Sequence, residues 1–186
     1  MNAAEKATPS FTIEGRTFPL AIVNERLASL ARSAPTSQAG SHHVLTEGVW
    51  LSTEAEKGAE LAVMPSETGF VLDLTTVGKS RWISLSFSLP LETLRSGRYL
   101  CLLVRVASDA FLSYRPSLRY LLAGDGFQDS FSRDYMVSSG GEKEQLSYIE
   151  VNQDAAARSH GAEVNLFFQG SNFRADFRSI EAVLIV

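Results

Sequence analysis

The chain has 186 residues, 45% of them hydrophobic and 20% charged, with a formal net charge of −4. That balance excludes a disordered chain, and a chain of this size buries roughly 70% of its unfolded surface without needing staples. One cysteine, Cys101, excludes an internal disulfide framework and a cysteine-built zinc site, and no apolar run reaches the roughly 18 residues of a membrane span.

Residues 1–10 are polar and lack the apolar core of a signal peptide, so the expectation is synthesis for the cytoplasm. Phe11–Ile13 and Phe18–Val23 read as two short strands around a turn at Gly15. Asn24 is then expected to cap a short helix over Glu25–Arg32, with Leu27, Leu30 and Ala31 on one side. Residues 33–43 read as a loop, so residues 1–43 form an N-terminal arm ahead of a domain over 44–186.

From Val44 onward the pattern is strands. The segments are Gly48–Ser52, Glu60–Met64, Phe70–Thr75, Arg81–Leu89, Arg98–Ala107, Phe111–Leu122, Phe127–Ser138, Gln145–Asn152, Val164–Gln169 and Asp176–Val186. Glycine-rich turns separate them and no long helix intervenes, which predicts an all-β, antiparallel jelly-roll β-sandwich with a short N-terminal helix.

Alternation with period 2 separates the two faces of each strand. Ile83, Leu85, Phe87 and Leu89 share one face, and Leu100, Leu102, Val104 and Val106 another. Opposite these clean apolar sets stand aromatic rings mixed with arginines and amides. Trp82, Arg105, Arg115, Arg119, Tyr148, Glu150, Asn152, Asn165 and Gln169 all fall on the non-core side. Flat rings stack on sugar C–H groups, and planar polar groups reach vicinal hydroxyls in pairs, so these nine are the candidate ligand contacts. The bland alternative is that they pair with one another or are covered by the arm and loops. Trp82 is the expected stacking platform. The arginines, with Arg98 beside them, are the expected donors to hydroxyls or carboxylates.

The closing run Leu166-Phe167-Phe168-Gln169-Gly170, followed by Phe177–Ile185, resembles the last two strands of galactose-binding-like jelly rolls and carbohydrate-binding modules. The resemblance covers residues 44–186. With the arginines, which suit an acidic or cell-surface polysaccharide, it makes a non-catalytic carbohydrate-binding module the leading expectation; by itself it implies a sandwich and a glycan ligand. It assigns no ligand residue. The same architecture also builds particles and complexes. A structural jelly roll touching protein neighbours is therefore the second reading, favoured by the arm and by the missing secretion signal. In the glycan reading, a cytoplasmic product reaches a surface only through lysis, a particle or a non-classical route.

Other chemistry is thinner. Asp125 and Asp129 are the place for a structural calcium, although a hard cation wants about six oxygens. His42 and His43 are adjacent, and His160 lies far away in a turn, without the usual metal spacing. Cys101 sits in an apolar run and reads as a packed, inert thiol. A glycosidase would need two facing carboxyls about 5–9 Å apart, with Glu150 and either Asp73 or Glu163 as candidates. The acidic balance and the absence of a recognition helix argue against nucleic acid.

Overall fold

A computed structural model describes residues 15–33, 36–39, 41–54, 59–76, 82–108, 110–124, 126–169 and 172–186. In chain order the strands are β1 (Thr17–Pro19), β2 (Thr36–Ala39), β3 (His42–Thr46), β4 (Val49–Thr53), β5 (Ala59–Pro65), β6 (Phe70–Thr76) and β7 (Ile83–Leu89). They continue with β8 (Tyr99–Ser108), β9 (Leu112–Leu122), β10 (Phe127–Phe131), β11 (Met136–Ser138), β12 (Gly141–Glu150), β13 (Ser159–Gln169) and β14 (Asn172–Ile185). The helices among the described residues are short: α1 (Ala21–Ser29), continued by a 3-10 turn over Leu30–Arg32, α2 (Leu91–Leu94) and α3 (Gln153–Arg158).

The strands form two sheets, every pairing antiparallel. The first runs β12-β8-β14-β6-β5-β2, with β1 beside the end of β14. The second runs β10-β9-β13-β7-β4-β3, with β11 beside β9. The apolar faces read from the sequence meet between them. Leu100, Leu102, Val104 and Val106 from the first sheet and Ile83, Leu85 and Phe87 from the second are fully buried. The fold is the expected antiparallel β-sandwich of jelly-roll type.

At the N-terminus the sequence reading needs correction. The strand ends at Pro19, and Ala21 already begins the helix, so Phe18–Val23 is not one strand. Leu20, Val23, Leu27 and Leu30 are all buried, a 3-4-3 spacing that belongs to a helix and that the β-branched run Ile22-Val23 obscured. Asn24 is no cap. Its Nδ2 donates to the Ala182 carbonyl at 3.2 Å, and its Oδ1 accepts from the Ala182 N–H at 2.7 Å, so an amide inside the helix clasps β14. The described residues of 17–32 therefore lie against the sandwich core. The loop expected over 33–43 contains β2 and the start of β3. Phe11–Ile13 lies outside the described residues.

Phe127–Ser138 is also not one strand. It breaks into β10 and β11 opposite Pro116 of β9. The Pro116 carbonyl accepts from the Ser132 N–H at 2.9 Å, but proline has no N–H to return on that side, so the ladder cannot continue. Arg115 fills the gap, donating Nε and Nη2 to the Ser132 carbonyl at 3.0 and 2.9 Å. The expected terminal strands are longer than read, because β13 begins at Ser159 and β14 at Asn172. In β14 a bulge at Arg178 shifts the buried set from Phe173, Ala175 and Phe177 to Ile180, Ala182 and Leu184. Helix α3 was unforeseen. Asn152 caps it, accepting from the Ala155 N–H at 3.0 Å.

Gly69 packs against the bulge. A Cβ there would stand 1.8 Å from the Phe177 carbonyl oxygen. Because backbone must shift rather than a side-chain tip, Gly69→Ala should destabilise the domain by about 1–3 kcal/mol. Urea unfolding measures this, and an unchanged midpoint would show that the β5–β6 turn yields freely.

Candidate functional site

The outer face of the second sheet carries the candidate site. Alternation turns Arg115, Ser117 and Arg119 of β9 outward, together with Glu163, Asn165, Phe167 and Gln169 of β13. In register across the strands, Phe131 of β10 stands beside Ser117, Ser117 beside Asn165, Asn165 beside Ser86 of β7, and Ser86 beside Trp50 of β4. Three small or compact polar residues thus lie between two large rings. The span from Phe131 to Trp50 is four strand spacings, about 19 Å. A groove of about 750 Å³ occupies this face. One flank is formed by Phe127, Asp129, Arg119 and Glu163, the other by Tyr135, Arg115, Phe167 and Trp82. The serines make the depression because their neighbours are larger. Ser84, Ser86 and Ser117 are almost wholly buried although they face away from the core.

A chain of polar contacts crosses the floor. Asp129 accepts from Nε and Nη2 of Arg119, each at 2.8 Å, a bidentate pair. Glu163 Oε1 lies 3.9 Å from Arg119 Nη1 and accepts from Asn165 Nδ2 at 3.3 Å. Asn165 Oδ1 accepts from the Ser86 hydroxyl at 2.6 Å, and Ser86 meets Ser84 at 3.1 Å. The hydrogen bond from Arg119 to Asp129 holds the guanidinium even more firmly charged than usual. Arg119 also lies 3.9 Å from the centre of the Phe127 ring, and Arg115 lies over both Phe131, at 4.9 Å, and Tyr135, at 5.3 Å. Two arginines thus pin three rings. Asp129 and Glu163 both face Arg119, and the groove lining as a whole carries two arginines and two carboxylates.

Of the nine expected contacts, five gather in this groove: Trp82, Arg115, Arg119, Asn165 and Gln169. Four lie elsewhere. Arg105 and Tyr148 face outward from the first sheet, where Arg105 pairs with Glu144 and Glu142 and Tyr148 meets Tyr99 edge-on at 6.0 Å. Glu150 and Asn152 sit at the edge of the sandwich, and Asn152 also donates its N–H to the Tyr120 hydroxyl at 2.8 Å. Alternation reports the face of a strand but not the sheet that the strand joins. The groove adds Trp50, Phe127, Phe131, Tyr135 and Phe167, which were not among the expected contacts, and Asp129 and Glu163, which the sequence suggested only for calcium and for hydrolysis. A signal existed for two of them, since Phe167 shares a face with Asn165 and Trp50 stands between the apolar Val49 and Leu51.

The remaining sequence candidates are scattered. Asp125 lies outside the described residues, and both Asp129 oxygens are engaged by Arg119. Among the described residues no three of His, Cys, Asp and Glu gather as metal ligands would. His42 leans on Trp50 with ring centres 6.2 Å apart. Glu150, Asp73 and Glu163 sit on the sandwich edge, the first sheet and the second sheet respectively. Cys101 is buried, and burial pushes its thiol up, away from reactivity.

No family model and no curated protein matches this sequence. Among solved structures, the xylan-binding CBM22-1 domain of a Paenibacillus barcinonensis protein superposes with a TM-score of 0.52 at 10% identity, over 82% of this chain and 97% of that one. The two chains share a β-sandwich fold. The C-terminal family 22 carbohydrate-binding module of a Clostridium thermocellum protein gives 0.49 at 10% identity, over 73% of this chain and 84% of its own. A family 11 carbohydrate-binding module of a Clostridium thermocellum cellulase gives 0.45 at 12% identity, over 82% and 88%. At such identities the likeness speaks for the architecture, and function has to be argued from the groove itself.

Proposed function

We propose that the protein is a non-catalytic carbohydrate-binding module that holds a polysaccharide chain in the groove of the second sheet. The observation that carries this reading is the groove's build. Rings of Trp50, Trp82, Phe127, Phe131, Tyr135 and Phe167 surround a polar floor that crosses the sheet from edge region to edge region. Such a channel suits the interior of a chain, with rings against C–H faces and amides and guanidinium groups against hydroxyls. The fold shared with a xylan-binding domain agrees with it. Asp129 is held by both bonds from Arg119 and Glu163 accepts from Asn165, so both carboxylates are built into the groove wall, which supports binding without hydrolysis.

The arginines alone suggested an acidic glycan. In the groove their charges are balanced by Asp129 and Glu163, and this favours an uncharged polysaccharide. Affinity electrophoresis against xylan, β-glucans, mannan, pectin and alginate tests the reading. Retardation by an uncharged polymer is expected, and retardation by pectin or alginate alone would reverse the preference. Trp82 is 40% exposed, so Trp82→Ala should leave the fold intact. It should weaken binding by about 1–3 kcal/mol, by analogy with bases stacked on aromatic side chains. An unfolded variant would mean that the ring belongs to the core.

A further inference from the structure

The groove reaches Phe131 at the edge of the second sheet. That ring, 46% exposed on the edge strand β10, also borders a second cavity of about 530 Å³ lined by Ser130, Glu150, Val151, Asn152 and Gln153. The two cavities thus share one ring as a common ridge. On the far side the chain leaving β12 forms a shelf that is held rigidly. The Val151 N–H donates to the Arg98 carbonyl at 2.9 Å, Asn152 is fixed by Tyr120 and by its capping bond, and Gln153 Nε2 donates to the Gly97 carbonyl at 2.5 Å. Glu150 differs from the groove carboxylates. It is exposed at the end of β12, and its carboxylate forms none of the ion pairs that tie up the groove carboxylates.

Resting on the glycan reading above, we propose that the polysaccharide site continues over Phe131 onto this shelf, where Glu150 accepts hydrogen bonds from hydroxyls of the same chain. The geometry gives the reason. The groove floor runs across the strands, so a chain following it past Ser117 meets the Phe131 ring at the sheet edge, and the next polar surface is Glu150–Gln153. A carboxylate is acceptor-only, and it suits vicinal hydroxyls while repelling a uronic acid. The shelf therefore selects a long, uncharged chain over a short or acidic one.

The test is calorimetric titration with xylo-oligosaccharides, cello-oligosaccharides and mixed-linked β-glucan fragments, each as a ladder from disaccharide to octasaccharide. Affinity should rise with length beyond what the groove alone holds. Glu150→Ala should cut the affinity ratio of the longest to the shortest bound chain by roughly tenfold, the scale of a hydrogen bond to a charged group. Trp82→Ala should lower both chain lengths in parallel. A ratio that Glu150→Ala leaves untouched, or affinity that stops rising within the groove, would overturn the extended site while leaving the groove standing. Failure of every ladder to bind the unaltered protein would instead remove the glycan reading, and the shelf with it.

Discussion

Arg119→Met should destabilise the domain by about 2–3 kcal/mol and abolish groove function at the same time. Breaking a buried ion pair by removing one partner costs about 3–5 kcal/mol, because the other charge stays behind. Here two carboxylates stay behind, Asp129 and Glu163, whose side chains are only 14% and 15% exposed. The remaining contact with water keeps the expected loss below the fully buried figure. Methionine retains much of the stem but not the fork, so Asp129 loses both of its bonds and Phe127 loses the guanidinium over its ring. The floor and the Phe127 flank of the groove then lose their common anchor. Urea unfolding reads the loss, and Asp129→Asn in the same chain should return part of it by removing one stranded charge. A single variant within about 0.5 kcal/mol of the unaltered protein would show that the network is an exposed pair of little consequence.

Phe177→Ala should cost more, about 3–5 kcal/mol, the usual loss when a buried phenyl ring is deleted and its cavity stays open. Phe177 is fully buried just before the β14 bulge. Its ring stacks on Phe70 at 5.4 Å and meets Phe168 and Tyr114 of the second sheet at 5.9 and 6.5 Å. It therefore bridges the two sheets at the place where β14 changes alternation. Thermal unfolding followed by circular dichroism measures the effect. A loss under about 1.5 kcal/mol would mean that Phe70 and Phe168 collapse into the space. Groove binding should survive in whatever fraction remains folded, since Phe177 lies on the other side of the second sheet from the groove.

Several strands were legible from residues alone because each has one apolar face. Leu100, Leu102, Val104 and Val106, and likewise Val164, Leu166 and Phe168, stand two apart, and the structure buries every one of them. The bulge in β14 and the break opposite Pro116 were harder, since both depend on what lies beside the strand. Pro116 did carry a clue, because a proline inside a strand denies a hydrogen bond to one neighbour. Helix α1 was half seen. Its stripe of Leu20, Val23, Leu27 and Leu30 is present in the sequence, but two β-branched residues drew the first turn into a strand.

The antiparallel β-sandwich and the apolar face of each major strand are written in the residues, because alternation is a local property that burial enforces residue by residue. The chain also carries the rings and forked donors that make a groove worth seeking. Which of them meet depends on how distant strands pair. Arg105 and Arg119 look alike in sequence, each on the polar face of a long strand. Strand order then puts β8 in one sheet and β9 in the other, so Arg105 pairs with Glu144 on the first sheet while Arg119 pins Asp129 and Phe127 in the groove of the second. Sheet membership is settled by hydrogen bonding between strands far apart along the chain, and no pattern within one strand encodes it.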